Sequence, residues 1–149
     1  MVEKQSVTTL GQAIRNATEA ERAAARFYEA LARRAGDGQA RVFFEEMVRD
    51  ERQHAELLES YGGELGEAYA AQLPEAAVQR IEVVPGWEYA ESISIEQALE
   101  VAIEAENNAA LYYDAMADFT EGDVQAFFRR MATLEEAHAE RPENGQITL

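Results

Sequence analysis

The fold is decided by a stretch of sequence that occurs twice. TLGQAIRNATEAERAAARFYEALA, residues 9–32, aligns without a gap on SIEQALEVAIEAENNAALYYDAMA, residues 94–117. Seven alanines of the first copy recur in the second, at positions 13, 17, 20, 24, 25, 30 and 32. Alanine is the best helix former, so each copy is predicted to be one long helix. A repeat of this length indicates a duplicated structural unit.

Each copy also carries a glutamate and a tyrosine at the same spacing. Glu21 precedes Tyr28 by seven residues, and Glu106 precedes Tyr113 by seven. Seven residues are two helical turns, so the two side chains of each pair lie on one face of their helix.

A second block follows each copy and repeats as well. DGQARVFFEEMVRDERQHAE, residues 37–56, matches EGDVQAFFRRMATLEEAHAE, residues 121–140, in its double phenylalanine, its methionine and its E-x-x-H motif. The register between the two blocks slips by one residue in the loop near Gly36. Two copies of a helical hairpin, each with the same polar residues, predict a site on a pseudo-two-fold axis.

The chain has two histidines, and both end an E-x-x-H motif. The motifs are Glu51 with His54 and Glu135 with His138. Three residues are just under one helical turn, so glutamate and histidine point the same way. The neighbouring phenylalanines, methionines and leucines form an apolar stripe, which predicts that both motifs face the interior.

The sequence therefore predicts one all-α domain, residues 1–149, in which two helical hairpins form an antiparallel four-helix bundle. The predicted helices span about residues 9–34, 39–61, 94–119 and 123–140, with a long crossover at 62–93. Thr9 and Ser94 each have a glutamine three residues later, which is typical of a capping box. In the crossover we expect one or two short helices, then a loop whose Trp87 and Tyr89 pack on the bundle; the alternative is that these two residues form a dimer contact.

Composition and charge exclude several classes of protein. The net charge of −16 argues against nucleic acid or an anionic membrane as partner. The absence of cysteine excludes disulfides, zinc fingers and iron–sulfur centres. The N-terminus has no apolar run like a signal peptide, and no stretch reaches the length of a membrane span. A cytoplasmic protein is the default expectation.

Four carboxylates and two imidazoles carried on four helices are the ligand set of a two-metal site in a helix bundle. The predicted ligands are Glu21, Glu51, His54, Glu106, Glu135 and His138. Isolated carboxylates in a dry core cost several kcal/mol each, whereas two divalent ions would balance the four charges. Mixed carboxylate and imidazole ligands suit iron or manganese.

The two tyrosines are predicted to support this ligand set. Carboxylates that bind metal are commonly held by hydrogen bonds from neighbouring side chains. We therefore expect the hydroxyl groups of Tyr28 and Tyr113 to donate to ligating carboxylates. The alternative is that both tyrosines are plain aromatic residues of the core.

With these motifs the chain resembles the rubrerythrin group of ferritin-like diiron proteins over nearly its whole length. The resemblance implies two iron ions, for which manganese or zinc would substitute in vitro. It also implies a homodimer that reduces hydrogen peroxide, or dioxygen, while Fe(II) is oxidised to Fe(III), and that is reset by an external electron donor. An alternative is an iron-binding ferroxidase that oxidises iron and hands it on for storage or detoxification.

Some features depart from the related proteins. Rubrerythrins proper carry a rubredoxin domain, for which this chain has neither the length nor the cysteines. They also carry an additional glutamate at the position of Ala109. The ligand set is therefore symmetric and more similar to that of bacterioferritin. However, Arg52 stands where bacterioferritins have their haem-binding methionine.

Overall fold

The computed structural model describes residues 7–36, 38–74 and 93–143, and most of them form four long helices. These are α1 (Leu10–Arg34), α2 (Gln39–Glu64), α3 (Ile95–Asp118) and α4 (Gly122–Glu143). Helix α1 packs along α2, and α3 packs along α4, as two hairpins. The predicted all-α four-helix bundle is confirmed. None of the described helices combines the length and the hydrophobicity needed to cross a membrane.

Glycines and capping side chains set the ends of the helices. Gly36 follows α1 with a φ of 67°, and Gly122 begins α4 with a φ of 61°. Residues other than glycine rarely adopt such positive φ values. Ser94 and Gln97 form the full capping box, with backbone-to-side-chain bonds of 3.0 and 3.1 Å. At α1, Thr9 accepts from the backbone of Gln12 at 3.0 Å.

The start of the crossover contains a short helix, in the segment where one or two were expected, and a strand that the sequence pattern did not predict. After α2 the chain forms a 3-10 helix (Gly66–Ala70) and then β2 (Gln72–Pro74). Strand β2 pairs antiparallel with β1 (Val7–Thr9), which directly precedes α1. Strands of three residues are too short to show an alternating pattern in the sequence. Residues 75–92, with the predicted contacts of Trp87 and Tyr89, lie outside the described residues.

Two helix ends differ from the prediction. Helix α2 continues through Gly62 and Gly63 to Glu64, beyond its predicted end at about residue 61. Glycine inside a helix costs only about 1 kcal/mol relative to alanine, so it need not stop a helix that packing supports. Helix α4 runs to Glu143, past Pro142. A proline in the last turn removes a single N–H donor, and its effect there is local.

The core consists of two apolar clusters with a polar layer between them. One cluster takes residues from the start of α1 and the end of α3, including Ile14 and Tyr112, and the other takes residues from the end of α1 and the start of α3, including Leu31 and Leu99. In sequence, Glu21 lies between the α1 residues of the two clusters. The bundle therefore places the predicted ligands at mid-height, sealed by apolar residues above and below.

Gly11 makes a close contact that holds the 3-10 helix against α1. A β-carbon built on Gly11 would lie 2.3 Å from ring atoms of Tyr69. Arg15 also donates a hydrogen bond to the Tyr69 hydroxyl, and its guanidinium lies 5.8 Å from the centre of the ring. The absence of a side chain at Gly11 is thus what allows the tyrosine ring to lie on the helix.

We predict that Gly11→Ala destabilises the protein by about 1–3 kcal/mol, because Tyr69 must leave its place. The matched control is Gly63→Ala in α2, where no atom lies within 4 Å of the added β-carbon. It should be neutral or stabilise by up to about 1 kcal/mol, since alanine favours the helix. Urea denaturation measures both variants, and equal effects would contradict the contact.

Candidate metal centre

The structure brings the six predicted ligands together in the interior of the bundle. Helix α1 contributes one of them, α2 two, α3 one and α4 two. All six are buried, with exposed fractions of 1% to 7%: Glu21, Glu51, His54, Glu106, Glu135 and His138. Charged residues are almost never this deeply buried without partners. Metal ligation by these side chains stays a prediction. It depends on their convergence in the interior of the bundle.

His54 points its Nδ1 atom at three carboxylates. The atom lies 2.9 Å from Glu135 Oε1, 3.6 Å from Glu21 Oε2 and 4.0 Å from Glu51 Oε2. Glu21 belongs to the same hairpin as His54, whereas Glu135 comes from the other. The imidazole therefore faces a group of oxygens collected from three helices.

His138 repeats this arrangement in the second hairpin. Its Nδ1 atom lies 3.2 Å from Glu51 Oε1 and 3.4 Å from Glu106 Oε2. The rings of His54 and His138 lie nearly parallel, with centres 5.0 Å apart. Glu51 and Glu135 thus lie near the histidine of the opposite hairpin, which is the arrangement expected of carboxylates that bridge two ions.

Several polar atoms of this cluster have no hydrogen-bond partner in the part of the chain that the structure describes. Within it, Glu51 Oε1, His54 Nδ1 and Glu135 Oε1 are fully buried and form no hydrogen bond, although the last two lie close together. Leaving a buried polar group without a partner costs about 1–3 kcal/mol, and more if it is charged. One ligand atom from each of Glu51, His54, Glu135 and His138 lies within 4.8 Å of the others. The donor set and its unpartnered atoms fit divalent metal ions.

Two tyrosines connect the hairpins through the remaining glutamates. The Tyr28 hydroxyl on α1 donates to Glu106 Oε1 on α3 at 2.8 Å. In return, the Tyr113 hydroxyl on α3 donates to Glu21 Oε1 on α1 at 2.7 Å. Burial, together with the facing carboxylates, raises the pKa of both tyrosines well above 10.0. Both hydroxyl groups therefore remain hydrogen-bond donors at neutral pH.

The four glutamates divide into two classes by their pKa values. Burial and the charges of Glu106 and Glu21 raise the pKa of Glu51 well above its usual range, and the same holds for Glu135. Burial also opposes ionisation of Glu21, but the nearby side chains of Glu51 and His54 outweigh it and lower the pKa of Glu21 to about 2. The pKa of Glu106 is lowered in the same way by Glu135 and His138. The raised pKa values favour the protonated forms of Glu51 and Glu135 in the metal-free protein, and binding of metal ions would displace those protons.

We predict that Tyr28→Phe and Tyr113→Phe each lower the free energy of unfolding by about 1.5–3 kcal/mol, since each leaves a buried carboxylate without its donor. The control is Tyr112→Phe. Tyr112 is also buried, but its hydroxyl donates to the backbone carbonyl of Ala13 at 3.0 Å. That loss should cost only about 1 kcal/mol. Chemical denaturation of the metal-free variants tests this, and equal costs for all three would argue against the proposed role.

The structure adds one residue that the sequence reasoning missed. Asp50 Oδ2 lies 3.2 Å from the Nε2 atom of His138, on the side of the ring away from the cluster. Comparison of the two repeats hides this residue, because the equivalent position in the second copy is Leu134. The sequence feature that could have indicated Asp50 is its position directly before Glu51, a predicted ligand.

Comparison with known proteins agrees with this geometry. The family model described as Rubrerythrin matches residues 10–141 of the chain, a span that contains all six clustered residues and both tyrosines. Searches of curated proteins and of solved structures give no match.

Proposed function

As this chain belongs to the rubrerythrin family, we propose that it is a diiron-carboxylate oxidoreductase that reduces hydrogen peroxide as Fe(II) is oxidised to Fe(III). The observation that carries the proposal is the group of unpartnered buried atoms shared by Glu51, His54 and Glu135. A purely structural polar cluster would be expected to satisfy its own hydrogen bonds. Here the partners are missing at the place where the histidines and carboxylates converge.

The residues present assign a role to each ligand. Glu21 with His54 would hold one ion, and Glu106 with His138 would hold the other. Glu51 and Glu135 would bridge the two, since each lies near the histidine of the opposite hairpin. Four carboxylates then balance the four positive charges of two ferrous ions, which removes the cost of burying them.

Bound in this cluster, two ferrous ions would supply the two electrons that, with two protons, reduce one hydrogen peroxide to two waters. The neighbouring side chains would hold the ligating carboxylates in position. Tyr28 and Tyr113 hold Glu106 and Glu21 from the opposite hairpin, so the carboxylates keep their places as the ionic charge changes. The apolar clusters on both sides limit access of bulk water to the site.

The proposal distinguishes peroxide from dioxygen. Dioxygen needs four electrons for full reduction, and one pair of ferrous ions holds two. We therefore expect the loaded protein to be oxidised faster by peroxide than by dissolved dioxygen at equal concentration. Stopped-flow absorbance measures both rates when the anaerobically loaded protein is mixed with peroxide in deoxygenated buffer or with buffer that contains dioxygen.

The same experiment separates the peroxidase from the iron-handling alternative, in which the cluster oxidises iron and hands it on. A peroxidase keeps its iron, so repeated cycles of reduction and peroxide addition should leave two irons per chain. Faster oxidation by dioxygen, with iron lost to a chelator after each cycle, would contradict the proposal and favour the alternative. An external electron donor and a second copy of this chain are the further partners we propose.

A further inference from the structure

The two halves of the metal cluster differ in one contact. The Nδ1 atom of His138 faces the cluster, while its Nε2 atom lies 3.2 Å from the carboxylate of Asp50. Asp50 is carried by α2, so the contact crosses from one hairpin to the other. Its side chain is 38% exposed and lies at the edge of the bundle.

Among the residues that the structure describes, His54 in the first hairpin has no equivalent of this contact. The hydrogen-bond and ion-pair partners of His54 within residues 7–36, 38–74 and 93–143 all face its Nδ1 atom. The sequence repeat explains the difference, because the position of Asp50 is taken in the second copy by Leu134. Leucine offers no acceptor to an imidazole N–H. The six ligands repeat, but the group that positions the histidine does not.

A histidine that binds metal through one nitrogen usually donates its other N–H to a carboxylate or carbonyl. That partner fixes the tautomer and the direction of the ring and makes the ligand more basic, and its loss typically lowers metal affinity by about 10–100-fold. Asp50 Oδ2 lies 3.2 Å from His138 Nε2, where it can accept from an Nε2–H, and the tautomer with that N–H directs the Nδ1 lone pair into the cluster. His54 lacks such a partner among the described residues.

We propose that Asp50 makes the two metal positions unequal, so that the position of Glu106 and His138 fills before the position of Glu21 and His54. The inference rests on the proposed two-metal site. Asp50 acts here as a positioning residue, since it would reach the ion only through the imidazole of His138.

The repeat supplies matched variants for the test. In Asp50→Leu both halves carry leucine at this position, so neither histidine has the carboxylate. In Leu134→Asp both halves carry aspartate there. The double variant Asp50→Leu with Leu134→Asp exchanges the halves. The probe is cobalt(II), which is redox-inert under these conditions and whose visible absorption reports on its ligands. Calorimetric titration of each metal-free protein gives the number of ions and their affinities.

The native chain should bind two cobalt ions in two steps that differ by about 10–100-fold in affinity. Asp50→Leu should merge the steps at the weaker value, and Leu134→Asp should merge them at the tighter one. At one equivalent of cobalt, His138→Ala should alter the native absorption spectrum more than His54→Ala does. In the exchanged double variant this order should reverse.

Two equal steps in the native chain would overturn the inference and leave the two-metal proposal intact. Binding of no ion, or of one, would overturn both. If Asp50→Leu binds less cobalt only because it unfolds, its metal-free melting temperature will fall, and Leu134→Asp then provides the independent test. A step ratio unchanged in folded Leu134→Asp would also overturn the inference.

Discussion

Replacing both Glu51 and Glu135 by glutamine should abolish the binding of two metal ions and leave the metal-free protein folded. Burial and the neighbouring carboxylates raise the pKa values of both glutamic acids, which favours their neutral forms, and glutamine is a neutral side chain of the same shape. Glutamine cannot ionise to bridge two cations. We expect binding to fall from two ions per chain to none at micromolar concentrations, by elemental analysis after anaerobic loading with Fe(II).

The repeat also supplies the control for this experiment. Glu56 and Glu140 are equivalent glutamates on α2 and α4, and both are exposed. Their double replacement by glutamine makes the same chemical change on the same helices and should leave two ions bound. If Glu51→Gln with Glu135→Gln keeps its two ions, the assignment of these residues as bridging ligands is wrong.

The metal-free protein should lose stability as the pH rises above about 4.5, the ordinary value for glutamate. The pKa values of Glu51 and Glu135 are raised on folding, so the folded state binds more protons than the unfolded chain above that pH. His138 acts in the same direction, because its pKa is also raised and its contribution is lost as pH rises through that value. Glu21 and Glu106, whose pKa values are lowered, weaken the fold only as the pH falls below about 4.5.

Bound metal should remove this loss, because the ions replace the protons. An ion present at a thousandfold excess over its Kd stabilises by about 4 kcal/mol. For a chain of this size that raises the melting temperature by about 8–16 °C. Thermal melts at pH 5 and pH 8 should show that the difference in melting temperature between the manganese-bound and the metal-free protein is larger at pH 8. An equal difference in melting temperature at both pH values would mean that Glu51 and Glu135 do not carry the protons assigned to them.

The sequence predicted the four helices and the candidate site because both depend on short-range spacing that the repeat shows twice. Glu51 and His54 are one turn apart, so any helix through them brings both to the same face. Their partners in the other hairpin followed from the repeat alone. The register of the repeat therefore carried long-range information that one copy would not have provided.

The features that were not predicted depend on distances between segments that the repeat does not relate. The pairing of Thr8 with Leu73 joins two short segments far apart in sequence. The contact of Asp50 with His138 breaks the repeat, so comparing the copies conceals it. The division of the glutamates into those with raised and those with lowered pKa values depends on burial and on distances of a few ångströms between side chains, which no spacing rule supplies.

The reciprocal bonds from Tyr28 to Glu106 and from Tyr113 to Glu21 have a consequence for the origin of this chain. Each hairpin donates a tyrosine hydrogen bond to a glutamate of the other, as two identical subunits would across a two-fold axis. Such a bundle could have arisen from a half-length gene whose product paired with itself, followed by duplication and fusion. In the unfused pair every substitution would occur in both halves at once. Fusion allows aspartate at position 50 and leucine at position 134, so each metal position becomes free to evolve separately.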